Sequence, residues 1–413
     1  MTTATDIGQK ELPAGWKWVK LGDVCVEQRK TISSDDPVAR TLPYLSLEHV
    51  ESQTGLILAS PEDIPQDAGK SNTFYFDDRH ILYGKLRPYL NKVALPTFRG
   101  RCTTELIPLE PMTAIREYLW LLLRRPETVS YAMKGKTGSR MPRANIAELM
   151  QMPIPLPPLE EQKRIAGLLN EQMAAVEEAK KAARGRLEAA QALPAAYLRE
   201  VFPSSEDELP DGWKWVKLGE LPINIGDGNY AEKYPKQSEF VDHGIPFIRA
   251  TNLNNGTVTS HDMRYISHAK HNLLVKGHLK EGDVLIVTRG DIGGVALVPN
   301  EHEDSNINAQ LVRLRADRQF LNHHYLFFHL QSPTVVGQVN NLLTGSALKQ
   351  LPIGNLRQIF LSVPPLEDQE RIASELDDKI AGVKLAEASI QQELDTIEAL
   401  PAALLRKAFA GEM

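Results

Sequence analysis

The chain has 413 residues, a formal net charge of −6 and two cysteines, Cys25 and Cys102. That length calls for two globular domains, and two isolated cysteines without a CxxC exclude a disulfide framework and a cysteine-rich zinc site. No segment approaches the roughly 20 apolar residues of a membrane helix, and the N-terminus lacks a basic-then-apolar leader, so a cytoplasmic protein is expected.

From Leu12 the chain reads LPAGWKWVKLGDV, and from Leu209, 197 positions later, LPDGWKWVKLGEL. A run holding two Trp does not recur by chance, and a repeat of this kind decides the fold. After the first copy, TFYF, HILYGKLR and KVALP are short β-branched and aromatic runs between turn residues, which predict strands. EYLWLLLRRPETV predicts a helix that stops at or crosses a Pro. PIPLPP is stiff and extended, and the Leu and two acids after its last Pro suit the first turn of a helix. In the long helix that follows, Leu169, Val176, Ala183, Ala190 and Tyr197 recur every seven residues, with Met173 and Leu187 interleaved. Pro194 is expected to end its straight part and start a short terminal helix.

The second half repeats this order. IPFIRA, DVLIVTRG and GVALVP predict strands, HHYLFFHLQSPTVVGQVNNLL predicts helices, and SVPP leads into a second long helix. Its heptad positions, Leu376, Val383, Ile390, Ile397 and Leu404 with Ile380 and Leu394 between, lie 207 residues after those of the first. Pro401 repeats Pro194. The middles, about 25–115 and 222–322, share only traces. One scaffold is built twice, with two different surfaces.

The expected fold is α+β: two pseudo-twofold-related, mostly-β recognition domains, 1–155 and 206–361, joined by helical spacers 156–205 and 362–413 that pair as an antiparallel coiled coil. One heptad position is charged in both copies, and a Lys180–Glu387 contact would set the register. A helix over 160–193 would span roughly 50 Å. Duplex DNA offers dyads to a twofold protein, and unlike domains would read unlike half-sites separated by one to two turns of about 34–36 Å. Charge permits this without predicting it: residues 361–413 carry 5 Lys+Arg against 11 Asp+Glu, and the rest is near neutral.

The LPxGWxxxxLGD openings, GDVLIVTRGDIGGVALVP (282–299), the TGS loops (137–139 and 344–346) and the PPLEEQ/PPLEDQ helix starts together resemble the specificity subunits of type I restriction–modification systems. The resemblance covers nearly the whole chain. It implies two target-recognition domains on double-stranded DNA and two modification subunits that hold S-adenosylmethionine and methylate adenine N6. It also implies two ATP-dependent restriction subunits, with Mg in the partners, and a coiled coil that is both ruler and docking surface.

No catalysis is expected of the chain itself. The target-amine clamp of an amino-methyltransferase, Asp/Asn-Pro-Pro-aromatic, is absent, as is a GxxxxGK[ST] phosphate loop. The glycine runs IGDGNY (225–230) and RGDIGG (289–294) read as turns. His261, His268 and His271, and the neighbours His323 and His324, lack a metal-ligand pattern, so no metal and no cofactor is expected on this chain. Base edges and phosphates call for Arg, Lys, Asn and Gln on loops. In the first domain the candidates are Lys85, Arg87, Tyr89, Asn91 and Lys92 in KLRPYLNK, and Lys134, Lys136, Ser139, Arg140 and Arg143 in KGKTGSRMPR. In the second they are Arg249, Thr251, Asn252 and Asn254 in IRATNLNNG, Thr288 and Arg289 in TRGDIGG, and Ser346, Lys349 and Gln350 in TGSALKQ. The Asn-Gly of IRATNLNNG also reads as an ordinary hairpin turn. Trp16/Trp18 and Trp213/Trp215 are identical in both copies and are assigned to packing. A second class of function, an adaptor bridging two identical proteins, would keep the two middles alike.

Overall fold

A computed structural model describes residues 11–64, 71–204, 207–230, 234–346 and 348–413. The chain divides into two compact units, one of Met1–Arg184 with Gln392–Met413 and the other of Gly185–Gln391. Each unit thus holds one strand-rich half of the repeat, part of one long helix and part of the other.

Each unit is closed by its repeated Trp-containing run. In the first, Lys17–Lys20 pairs antiparallel with Pro153–Leu156, Trp18 opposite Pro155 and Val19 opposite Ile154. In the second, Lys214–Lys217 pairs in the same way with Phe360–Val363. Alternation explains how prolines serve here: Pro153 and Pro155 are two apart, so both missing N–H groups point away from the ladder. Trp16 and Trp213 pack against the cores of their units, which agrees with the packing role expected of them.

The expected strands form two small sheets per unit. The first unit has Cys25–Glu27, Leu106–Pro111, Ile81–Gly84 and Val93–Ala94 side by side, and a second sheet of Thr31–Ile32, Thr73–Phe76, Gly100–Thr103 and Tyr44–Leu45. The second unit has a six-stranded sheet running from Ile223–Asp227 through Leu311–Ala316, Val284–Val287, Val295–Leu297 and Thr257–Val258 to Leu253–Asn254. The helices Arg116–Leu123 and Pro126–Lys134, and their counterparts His323–Leu330 and Pro333–Leu342, break where a Pro opens the second of each pair.

The PPLEEQ and PPLEDQ motifs are amide clamps. Gln162, 1% exposed, donates from Nε2 to the Pro157 carbonyl at 2.9 Å and accepts at 2.8 Å from the N–H of Ile115, the N-cap of the helix Arg116–Leu123. Gln369 repeats both bonds with Pro364 and Asn322, each at 2.9 Å. Each amide therefore ties the start of a long helix to the start of a domain helix.

The long helices run Leu159–Val201 and Leu366–Phe409, straight through Pro194 and Pro401. This corrects the expected break. An interior Pro costs about 3 kcal/mol, and the tails beyond both prolines are anchored by packing in the cores. Phe202 sits edge-on to Tyr325 at 5.4 Å in the second unit, and Phe409 edge-on to Tyr118 at 5.1 Å in the first. Leu198, Leu405 and Ala408 are buried beside them. Within the first unit the helical segments are antiparallel: Arg164 donates to the Met413 carbonyl at 2.8 Å, and Arg184 pairs with Glu398 at 3.2 Å. The expected seam residues Leu169, Val176, Ala183, Ala190, Leu376, Val383, Leu394 and Ile397 are buried. Lys180 and Glu387 belong to different units, and the Lys180 ammonium lies 3.9 Å from Glu177 of its own helix.

The two cores differ at one linked pair of positions. Tyr118 donates to the Pro155 carbonyl at 2.8 Å, and Tyr325 to the Ser362 carbonyl at 2.7 Å. Pro155 has no N–H, and the first half carries an apolar residue, Leu122, at the helix position. Ser362 has both an N–H and a hydroxyl, and His329, at the position of Leu122, receives them on Nε2 at 3.3 and 2.8 Å. Burial pushes the His329 pKa from 6.5 down to about 3. The imidazole stays neutral in the folded chain while the unfolded chain protonates below about 6.5. Its contribution is intact above that pH and is lost as the pH falls, by up to about 1.4 kcal/mol per unit. His329→Leu should cost about 1–3 kcal/mol at pH 7 by orphaning Ser362. The double change H329L/S362P should regain that loss and flatten the acid limb of stability between pH 6.5 and 4, as read by urea denaturation across pH.

Candidate nucleic-acid interface

In the first unit two of the expected loops are zipped together. Leu86 bridges Arg143, and Thr137 bridges Arg143 in turn. The backbone bonds are reciprocal, Thr137 N–H to Arg143 C=O and Arg143 N–H to Thr137 C=O, both at 2.9 Å. Arg87 N–H adds a bond to Pro142 C=O at 2.7 Å. The turn inside this clasp needs Gly138, whose φ is +79°.

Glu105, contributed by the turn between two core strands, lies under the clasp. Arg143 reaches it through Nε at 3.0 and 3.2 Å and through Nη2 at 3.0 Å, and the Lys85 ammonium is 4.0 Å away. The hydrogen bond and charge of Glu105 raise the Arg143 pKa. Both cations are therefore partly neutralised before any ligand arrives. The free positions are Arg87, Tyr89, Lys134, Lys136, Ser139 and Arg140, all exposed. Asn91 and Lys92 turn inward, contrary to expectation. Asn91 donates to the Arg124 carbonyl at 2.7 Å, and Lys92 donates to the Leu47 carbonyl at 2.7 Å with its pKa lowered by burial.

The second unit builds the same clasp from other side chains. Arg289 bridges Gln350, and Thr344 and Gln350 exchange backbone bonds at 2.9 Å, with Gly345 at φ +94°. Gln350 holds the place of Arg143. Arg289, Ser346, Lys349 and Gln350 are exposed, whereas Thr288 is buried and donates its hydroxyl to the Gln310 carbonyl at 3.1 Å. The Arg289 guanidinium lies over the Tyr230 ring, 5.2 Å from its centre. Tyr230 and the exposed Gln310 join the clasp surface and were missed; the only sequence signal was the glycine run IGDGNY, which reads as a turn.

IRATNLNNG is occupied with its own hairpin. Arg249 pairs with Asp262 at 2.9 Å. Asn252 is fully buried, accepting from Arg249 N–H and donating to the His261 carbonyl, each at 2.9 Å. Thr251 and Asn254 are exposed, and Asn254 precedes an Asn255–Gly256 turn with φ +49° and +79°. Its tip accepts a bond from Lys384 of the second long helix at 3.4 Å. Asn91, Lys92, Asn252 and Thr288 are thus corrected from reading positions to framework.

The clasps offer cations, amides and hydroxyls around an aromatic ring. Neither cysteine belongs to them. Burial pushes the Cys25 thiol up to about 12 and the Cys102 thiol also upward, and both side chains lie in the core. A thiol reagent at pH 8 should therefore label neither cysteine in the folded chain and both after denaturation; fast labelling of the folded chain would contradict this burial.

The profile of the family described as "Type I restriction modification DNA specificity domain" matches residues 13–183 and 210–396. The MjaVIII specificity subunit of Methanocaldococcus jannaschii, a type I restriction enzyme subunit, is 25% identical over 392 residues, covering 88% of this chain and 86% of its own length. The EcoKI specificity subunit of Escherichia coli is 23% identical over 305 residues, covering 69% of this chain and 64% of its own. Among solved structures, a chain from a study of complex assembly and conformational transition in the type I R-M system superposes with a TM-score of 0.81 at 26% identity, covering 98% of this chain and 100% of that one. The HsdS subunit of Thermoanaerobacter tengcongensis gives 0.66 at 26% identity, covering 99% and 100%.

Proposed function

The chain belongs to the family of type I restriction–modification DNA specificity subunits, and on that premise we propose that it reads a split, asymmetric DNA target, one half through each clasp. The carrying observation is that one backbone clasp is built twice with different side chains, Arg87, Arg140 and Arg143 in one and Arg289, Lys349 and Gln350 in the other. An adaptor for two identical partners would gain nothing from that difference.

The chain performs no chemistry in this reading. It directs adenine methylation by two modification subunits, which supply S-adenosylmethionine, and cleavage by two restriction subunits, which use ATP and Mg. The complex works in the cytoplasm; no helix among the described residues is long and apolar enough to cross a membrane. Arg87, Lys134, Lys136, Arg140 and Lys349 are assigned to the DNA face, and Tyr89, Ser139, Arg289, Ser346 and Gln350 to contacts within the groove. Lys85 and Arg143 act mainly through Glu105, holding the clasp in shape.

Single-molecule methylation mapping of DNA from cells carrying this chain with its modification subunit should show a split motif with a fixed gap and methyl-adenine on opposite strands. Exchanging residues 25–115 for those of another family member should change one half-site only; a change in both would overturn the two-reader assignment. In the complex with modification subunits, Arg140→Ala should weaken binding to all sequences alike and reduce the salt slope of log K by about 1. Binding isotherms over a range of salt concentrations measure this, and an unchanged slope would remove Arg140 from the phosphate contacts.

A further inference from the structure

We propose that the second unit holds a divalent transition-metal site made by Nε2 of His271, Nδ1 of His278 and a carboxylate oxygen of Asp304, with zinc(II) as the ion these donors suit. The sequence pattern gave no reason to expect it. Of the three histidines in HDMRYISHAKH only His271 takes part, and its companions come from the loop after the helix His268–Leu273 and from the turn before Asn306–Ile307.

The donor atoms lie within 4.8 Å of one another. His271 Nε2 is 3.3 Å from Asp304 Oδ1, and His278 Nδ1 is 4.0 Å from the same oxygen. Tetrahedral zinc with bonds of about 2.0–2.1 Å sets its donors ~3.3 Å apart. One pair already has that separation, and modest side-chain rotation closes the others, since Asp304 is 70% exposed. Two nitrogens and one carboxylate, with a position left for water, match the preferences of zinc better than those of magnesium or calcium.

The second argument is the support behind each ring. His278 Nε2 lies 2.6 Å from the Leu274 carbonyl oxygen, a contact only an N–H makes, so the lone pair is on Nδ1, facing Asp304. A carbonyl fixing the far nitrogen is the usual backing of a metal-bound histidine. His271 Nδ1 is backed at 2.8 Å by the side-chain amide of Asn306, which is fully buried and whose Oδ1 has no partner. Amide oxygen and nitrogen exchange places by a half-turn. With Oδ1 toward the ring, Asn306 accepts Nδ1–H and leaves the lone pair of His271 on Nε2, again facing Asp304. An ion here would clip the 271–278 segment to the 304 turn, closing a loop that contains two strands of the six-stranded sheet.

The alternative is a plain His–Asp ion pair. The test uses the full chain, stripped of metal, and is independent of any DNA reading. Cobalt(II) should give the visible absorption of a low-coordinate N/O site at one equivalent, and zinc should displace it. Zinc should raise Tm, and a chelator should reverse the rise. Asp304→Asn and His278→Gln, changed at exposed and part-exposed positions and checked for folding by circular dichroism, should each weaken zinc binding by at least about tenfold. No cobalt spectrum and no zinc-dependent Tm shift in the unaltered chain would overturn the proposal. So would a folded D304N chain that binds zinc as tightly as the parent.

Discussion

The antiparallel pairing of the first strand of each unit with its last, Lys17–Lys20 with Pro153–Leu156 and Lys214–Lys217 with Phe360–Val363, is the constraint on which the rest depends. It brings the chain back to where the domain began and delivers it to the start of a long helix. Register is strongly fixed. A slip by one residue would turn Ile154 out of the core and aim the missing N–H of Pro155 at the ladder. The amide of Gln162 or Gln369 then locks the helix start to the domain helices, and an aromatic from the tail of the other long helix seals the same core. The repeated motifs of the sequence are the parts of this closure: the Trp-bearing strand, the Pro-Pro turn with its glutamine, and the terminal Phe.

A duplicated scaffold lets one copy act as a control for the other. Pro155 and Leu122 in the first half hold the positions of Ser362 and His329 in the second, where the two side chains are bonded. The half whose strand residue has no donor carries an apolar residue at the helix position, and the half whose strand residue has two donors carries an acceptor there. Exchanging one member alone would bury an unmatched polar group, a cost of about 1–3 kcal/mol. The two cores thus differ at a linked pair of positions, and in the second His329 Nδ1 is buried without a partner.

The sequence made the duplication, the strands, the long helices and the clasp loops legible, because these depend on local chemistry: β-branched runs, heptads, and Gly in TGS turns. It misjudged Pro194 and Pro401, because the packing of Phe202 and Phe409 that overrides their local preference comes from residues distant in the chain. It also ranked loop residues by type. Asn91, Lys92, Asn252 and Thr288 are chemically suited to DNA, yet each is spent on a backbone group brought close only by folding. Lys85 and Arg143 are held by Glu105, whose role no local pattern announces. Tyr230 reads as part of a turn until Arg289 is seen over its ring.

The clasps show how the surface proposed to read DNA can change its side chains without refolding. Thr137 and Arg143, and equally Thr344 and Gln350, are joined through main-chain N–H and C=O groups, which every residue except Pro supplies. The left-handed turn inside each is carried by one glycine. Among the described residues, the side chains between, Ser139 to Pro142 in one unit and Ser346, Leu348 and Lys349 in the other, contribute no bond to closing the loop. Arg143 can therefore give way to Gln350 with the same backbone beneath it. Separating a main chain that fixes position from side chains that meet the ligand is what a reader of varying sequences requires. Because such contacts respond to local potential rather than to net charge, an overall acidic chain is no obstacle to the assignment.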